Sequence, residues 1–134
     1  MDEGLAAELV VFALSVLLVF VQIGLQGFFA TRELGHDWNA GPRDENRRPQ
    51  GALAGRAERA LKNLLETYPV FVGLALALAM TGEGGGLGAF GAWTWLLARI
   101  VYVPLYLGGV PYIRSLAWLV SVAGIFMMLI ALVF

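Results

Sequence analysis

The 134-residue chain is 59% hydrophobic, 14% charged and close to neutral at a formal net charge of −1. A soluble domain carries about a quarter charged residues and a nucleic-acid binder a basic excess, so neither class fits. No cysteine is present, which excludes disulfides, thiolate metal ligands and a protein-borne thiol nucleophile; no metal site is expected, and any sulfur chemistry must arrive with a ligand.

A positive mean hydropathy of +0.74 points to a membrane, and the length allows one domain over residues 1–134. Asp2 and Glu3 stand where a signal peptide would carry basic residues, and the apolar run behind them is too long for the apolar part of one, so a retained anchor is expected. From Leu9 to Thr31 there is no charge, enough at about 1.5 Å per residue to cross a hydrocarbon layer of about 30 Å; the first span is set at about 6–31. Gln22 and Gln26, one turn apart on it, read as interhelical hydrogen-bonding groups, with contact to a ligand as the lesser alternative.

Arg32 to about Gln50 is too polar for lipid and reads as a loop at the water boundary, with His36 as a surface residue. The second span is set at about 53–81, where Gly82, Gly84, Gly85, Gly86 and Gly88 predict a tight turn and an antiparallel hairpin. The third runs over about 89–107, with a kink expected at Pro104 and with Trp93 and Trp95 expected as interfacial anchors. Gly108, Gly109 and Pro111 break the chain before a fourth span over about 112–134. The expected fold is therefore an all-α integral membrane protein, a four-helix bundle.

Basic residues set the expected orientation. Arg32, Arg43, Arg47, Arg48, Arg56, Arg59 and Lys62 cluster at the first connection and Arg114 lies at the third, whereas the glycine turn has none. First and third loops are expected on the cytoplasmic side and both termini on the other.

Ionisable groups inside a span are costly unless they face a partner or a wet cavity, so they mark candidate sites. At about 100° per residue, Arg56, Arg59, Asn63 and Glu66 share one face of the second span, while Glu58 points away. Arg99, Tyr102 and Tyr106 stack along one side of the third. Arg99 needs a carboxylate or a wet pocket, and Glu66 is the natural partner, within one protomer or across two. Such pairs can simply glue helices together. Yet Arg56, Arg59, Lys62, Arg99 and Arg114 outnumber Glu58 and Glu66, and an anionic ligand bearing carboxylates or phosphates would restore the balance. Phospholipid headgroups could take Arg56 or Lys62.

The stretch from Glu58 to Pro69, with Arg59, Asn63, Glu66 and Pro69 in place, resembles the second-helix signature of the MAPEG family, the membrane-associated proteins in eicosanoid and glutathione metabolism. Tyr106, Leu107, Gly108, Pro111, Ile113, Arg114 and Ser115 resemble the third-loop region of that family's microsomal prostaglandin E synthases. With the four-span layout the resemblance covers nearly the whole chain, and it is to a bacterial-type member near those synthases and the microsomal glutathione transferases. It implies a homotrimer of four-helix protomers with glutathione bound between neighbours near the cytoplasmic side. Arg59, Asn63 and Glu66, with Tyr102 and Tyr106, would hold the tripeptide's polar groups, and Arg56 and Arg99 are counted with them. Arg114 matches the arginine held responsible for the thiolate and Ser115 the serine beside it. A fixed cation makes a thiol of pKa near about 8.5 a nucleophile at neutral pH, and arginine keeps its charge in a poorly hydrated site. Tyr102 stands where the prostaglandin synthases have histidine, Lys62 where they have arginine and Trp118 where they have tyrosine, which points away from prostaglandin as substrate. Arg32, Asp44 and Glu45 are looser candidates for completing the site from the first loop.

The expected function is a glutathione-dependent transferase or peroxidase acting on lipophilic electrophiles or lipid hydroperoxides dissolved in the bilayer. The alternative is a nonenzymatic protein of the same fold that binds a membrane lipid and presents it to a partner. A small multidrug pump fits less well, since the first span offers only Glu8, at its edge, as a proton-coupling carboxylate.

Overall fold

The computed structural model describes residues 5–82 and 85–134; Asp2, Glu3 and Gly84 lie outside them. Four of its helices are long and apolar enough to cross a membrane: α1 (Ala7–Leu34), α3 (Ala52–Thr81), α4 (Gly86–Leu107) and α5 (Pro111–Val133). A fifth, α2 (His36–Ala40), is a short helix in the connection between α1 and α3. In lipid the backbone must satisfy its own hydrogen bonds, so apolar runs of this length adopt helix. α3 continues through Pro69 and α4 through Pro104. α3 stops at Gly82, whose φ of 74° and ψ of 10° form a left-handed C-cap, and α5 starts on Pro111, whose missing N–H costs nothing in a first turn. α1 and α3, at 28 and 30 residues, extend to about 42 and 45 Å and so outrun a hydrocarbon layer of about 30 Å.

The most extensive pairing is α4 with α5, followed by α1 with α3; α3 and α4 are the central pair, and α1 and α5 do not meet among the described residues. α4 and α5 approach so closely at Gly91 and Gly124 that a Cβ on either would come within 2.5 Å of the other's carbonyl oxygen. Small residues at helix crossings let backbones approach in this way, and dispersion between the helices supplies the attraction that water would otherwise provide.

Next to this crossing, Phe71 of α3 stacks on Trp95 of α4 with ring centroids 3.9 Å apart and planes within 9°. Tyr68 joins the stack, 6.1 Å from each, and shares a hydrogen bond of 2.8 Å with the Ser15 hydroxyl. Trp95 is fully buried, so it is a core residue and not an interfacial anchor, whereas Trp93 is exposed. The cause is the period of α4: Trp95 shares its face with Gly88, Gly91, Ala92, Arg99 and Tyr102, all buried.

Each end of α1 holds the start of another helix. Glu8 is fully buried, and both its carboxylate oxygens accept from the Gly85 backbone N–H, at 3.2 and 3.0 Å, at the entry to α4. Glu33 accepts from the backbone N–H groups of Gln50 and, at 2.7 Å, Gly51, the N-cap of α3. A carboxylate at a helix start meets the positive end of the macrodipole. α4 begins inside the run of glycines: Gly82, Gly85 and Gly86 have the positive φ of a turn, as the sequence predicts, whereas Gly88 already belongs to the helix. A Cβ on Gly88 would lie 2.7 Å from Glu8 Oε2 and 2.9 Å from a Leu78 methyl, so a larger residue there would have to push both side chains aside. Gln22, by contrast, is buried on α1 with neither amide atom hydrogen-bonded, so the interhelical bond expected of it is not made.

Candidate functional site

At the end of the bundle away from the glycine turn, α3, α4 and α5 enclose a cleft of about 470 Å³ lined by Arg59, Lys62, Asn63, Glu66, Tyr102, Tyr106, Arg114, Ser115 and Trp118. That is within the range of about 300–1,000 Å³ usual for small-molecule sites. α3 supplies four of these residues because positions 59, 62, 63 and 66 fall on one face, while Ala57, Ala60 and Leu64 turn into the bundle. α5 supplies Arg114 and Ser115 from its first turn and Trp118 one turn on.

The two walls are joined by a column of two rings with a cation at each end. The Arg99 guanidinium carbon lies 4.5 Å from the Tyr102 ring centroid. Tyr102 meets Tyr106 edge to face at 5.5 Å, and Arg114 lies 4.6 Å from the Tyr106 centroid. Each cation–ring contact is worth about 0.5–1 kcal/mol at exposed positions and about 2 when desolvated. The column aims Arg114 without taking up its hydrogen-bonding capacity.

Arg99 lies behind the cleft. It is fully buried, and its Nη1 donates to Asn63 Oδ1 at 2.8 Å, so its partner within the chain is Asn63 and not Glu66. Its Nε and Nη2 bond to nothing. A guanidinium can only donate, so Asn63 must turn its oxygen to Arg99, which leaves its NH₂ group free to donate into the cleft. Glu66 is exposed on the open side, where a second groove holds Gln26, Glu58, Leu61, Lys62 and Leu65; Lys62 and Glu66 border both.

Of the residues expected at the site, Arg59, Asn63, Glu66, Tyr102, Tyr106, Arg114 and Ser115 come together in the cleft. Ser115 lies at its surface with its hydroxyl donating to Pro111 O at 3.4 Å. Arg56 is elsewhere: its Nη1 donates to Leu107 O at 3.1 Å, at the C-terminus of α4. Arg32 borders a separate groove with Phe29 and Gly51, and Asp44 and Glu45 lie in a pocket of the first connection beside Trp38 and Arg43. Lys62 and Trp118 line the cleft although sequence reasoning does not place them among its binding residues; their one-turn spacing from Arg59 and Arg114 is the signal that finds them.

The cleft thus sets three cations, Arg59, Lys62 and Arg114, against one carboxylate, Glu66. A bundle of four helices long and apolar enough to cross a membrane accordingly carries a cleft of net positive charge near one end. A family model narrows this: that of the MAPEG family matches residues 11–134, and the chain belongs to that family, which includes glutathione transferases and synthases. No curated protein and no solved structure matches the chain.

Proposed function

We propose that the protein is a glutathione-dependent membrane transferase or peroxidase acting on lipophilic electrophiles or lipid hydroperoxides. The observation that carries this reading is the cleft's surplus of cations gathered around Arg114. Glutathione has two carboxylates, one ammonium and a thiol, so as a thiolate it matches a cleft with three cations and one carboxylate. When bound, it supplies the nucleophilic sulfur that this cysteine-free chain lacks.

The chain's own residues divide the remaining work. Arg59 and Lys62 pair with ligand carboxylates, the Asn63 NH₂ donates to a carboxylate or peptide oxygen, and Glu66 takes the ammonium. Tyr102 and Tyr106 form the wall against which Arg114 is held. Arg114 is the catalytic residue: its guanidinium stabilises the thiolate, the thiol proton leaving to water, and Ser115 stands beside it. The electrophile arrives from the lipid side.

The exposure of Glu66, Leu65 and Lys62 on a spanning helix supports a neighbouring subunit that covers α3, since a carboxylate facing lipid would be expensive, and the family resemblance makes that assembly a homotrimer. The basic residues of the first connection, with Arg114 at the third, favour placing the cleft at the cytoplasmic side and both termini on the other.

Isothermal titration of detergent-solubilised protein with glutathione tests the reading. Saturable heat is expected for the parent; Glu66→Ala should weaken it, and Arg114→Ala should abolish the ultraviolet thiolate band while leaving the tripeptide bound. A parent protein that gives no saturable heat would overturn the assignment.

A second reading, a nonenzymatic lipid presenter, draws on a groove of about 390 Å³ between α4 and α5, lined almost wholly by apolar residues from Leu97 to Val120. Lipid as the only copurified ligand, with no turnover of any electrophile by glutathione, would favour it.

A further inference from the structure

We propose that Arg56 is a positioning residue that sets the geometry of Arg114 by clamping the α4–α5 turn. It lies one helical turn before Arg59 on α3, half-buried, and its guanidinium reaches out of the cleft to the last residue of α4. α4 ends in a Schellman arrangement: the Val110 N–H donates to Leu105 O and the Gly109 N–H to Tyr106 O, each at 3.0 Å, with Gly109 at a φ of 73°. That pattern satisfies two of the terminal carbonyls and leaves the Leu107 carbonyl without an intrahelical donor. Arg56 supplies the donor, placing a positive charge at the negative end of the α4 macrodipole.

The same guanidinium packs on the turn itself. A Cβ on Gly109 would lie 2.9 Å from Arg56 Nη2 and 3.0 Å from its Cζ, so a side chain at this left-handed glycine would push the guanidinium off the turn. Two residues after Gly109 the chain enters α5 at Pro111, and Arg114 follows within the first turn. Any tilt of the turn therefore moves Arg114 and Ser115 directly. α3, which carries Arg59, Asn63 and Glu66, is tied through Arg56 to the turn that launches the opposite wall. Arg56 accordingly governs where the thiolate-stabilising cation stands without touching the ligand.

The proposal's chemical readout rests on glutathione occupying the cleft, and its structural readout does not. Three measurements on full-length protein in detergent, made with Arg56→Gln, Arg56→Lys and Gly109→Ala, test it. First, hydrogen exchange at the Gly108, Gly109 and Val110 amides should quicken about tenfold in Arg56→Gln, the effect of losing one charge-assisted hydrogen bond. Second, the thiolate band of bound glutathione should appear about one pH unit higher in Arg56→Gln and in Gly109→Ala, whose methyl displaces the guanidinium, with Arg56→Lys restoring much of the shift. Third, affinity for S-methylglutathione, which has no thiol to ionise, should stay within about threefold of the parent.

A fall of more than about tenfold in S-methylglutathione affinity would make Arg56 a ligand contact and overturn the positioning role. A lowered melting temperature with the thiolate midpoint unmoved would overturn it too, as a merely structural effect. If the parent shows no thiolate band, the glutathione reading fails on its own, and the clamp stands or falls on whether the turn amides exchange faster.

Discussion

Toward the glycine turn, α4 is packed until nothing more fits: Gly88 against Glu8 and Leu78, Gly91 against Gly124, and Trp95 flat on Phe71. Toward the other end the same helix carries Arg99, Tyr102 and Tyr106, where polar groups face a cleft and the buried guanidinium keeps two nitrogens unbonded. The buried carboxylate at the first end, Glu8, is taken up by a backbone N–H; the cations at the second retain donors to give. One end of a membrane bundle can thus hold the fold together, while the other leaves its electrostatics unsatisfied within the chain.

Substitutions that separate stability from ligand binding sharpen or break this comparison. Trp95→Ala should have the largest effect, a loss of about 3–5 kcal/mol in stability, read by unfolding in detergent, while glutathione affinity in the folded fraction stays near that of the parent. Loss of binding in protein that remains folded would show that the two ends are not separable. Gly91→Ala should cost about 1–3 kcal/mol by forcing α4 from α5, again with little change in the cleft. Arg99→Met is expected to move stability least, by about 1 kcal/mol or less and toward greater stability, because an apolar side chain of similar length replaces a charge with one hydrogen bond. It should nevertheless weaken glutathione binding about fivefold to tenfold, since Asn63 loses the group that orients it. An Arg99→Met protein that unfolds would place the guanidinium with the packing and not with the cleft.

The four spans were legible because each contains an 18-residue stretch with at most two charges, and lipid permits an isolated stretch of that kind only a helix. The gathering of Arg59, Asn63 and Glu66 was legible from helical periodicity, and so was the side shared by Arg99, Tyr102 and Tyr106. Arg114 and Ser115 came from the family resemblance, since nothing in local spacing ties the start of α5 to α3. Among the described residues of the glycine run only Gly88 misled, because the run's composition describes an isolated peptide, whereas α4 is already under way there and its N-cap, Gly85, is held by Glu8, far away in sequence. Trp95 misled because tryptophan's preference for interfaces was set above the period of its own helix, which puts it among the buried positions. Arg56 shares a face with Arg59 on a helical wheel, but a long flexible side chain follows the nearest unsatisfied carbonyl, and that carbonyl belongs to another helix.

Glu8 and Glu33 sit near opposite ends of α1, and each fastens the beginning of a different helix on a different side of the bilayer. Positions 8 and 33 are roughly 38 Å apart along the axis at about 1.5 Å per residue. α1 therefore works as a gauge rod beside α3, which joins the same two ends through its own length: both measure how far the entry of α3 stands from the entry of α4. Lengthening α1 alone by a turn would pull one carboxylate from its seat, so α1 and α3 have to keep a common measure.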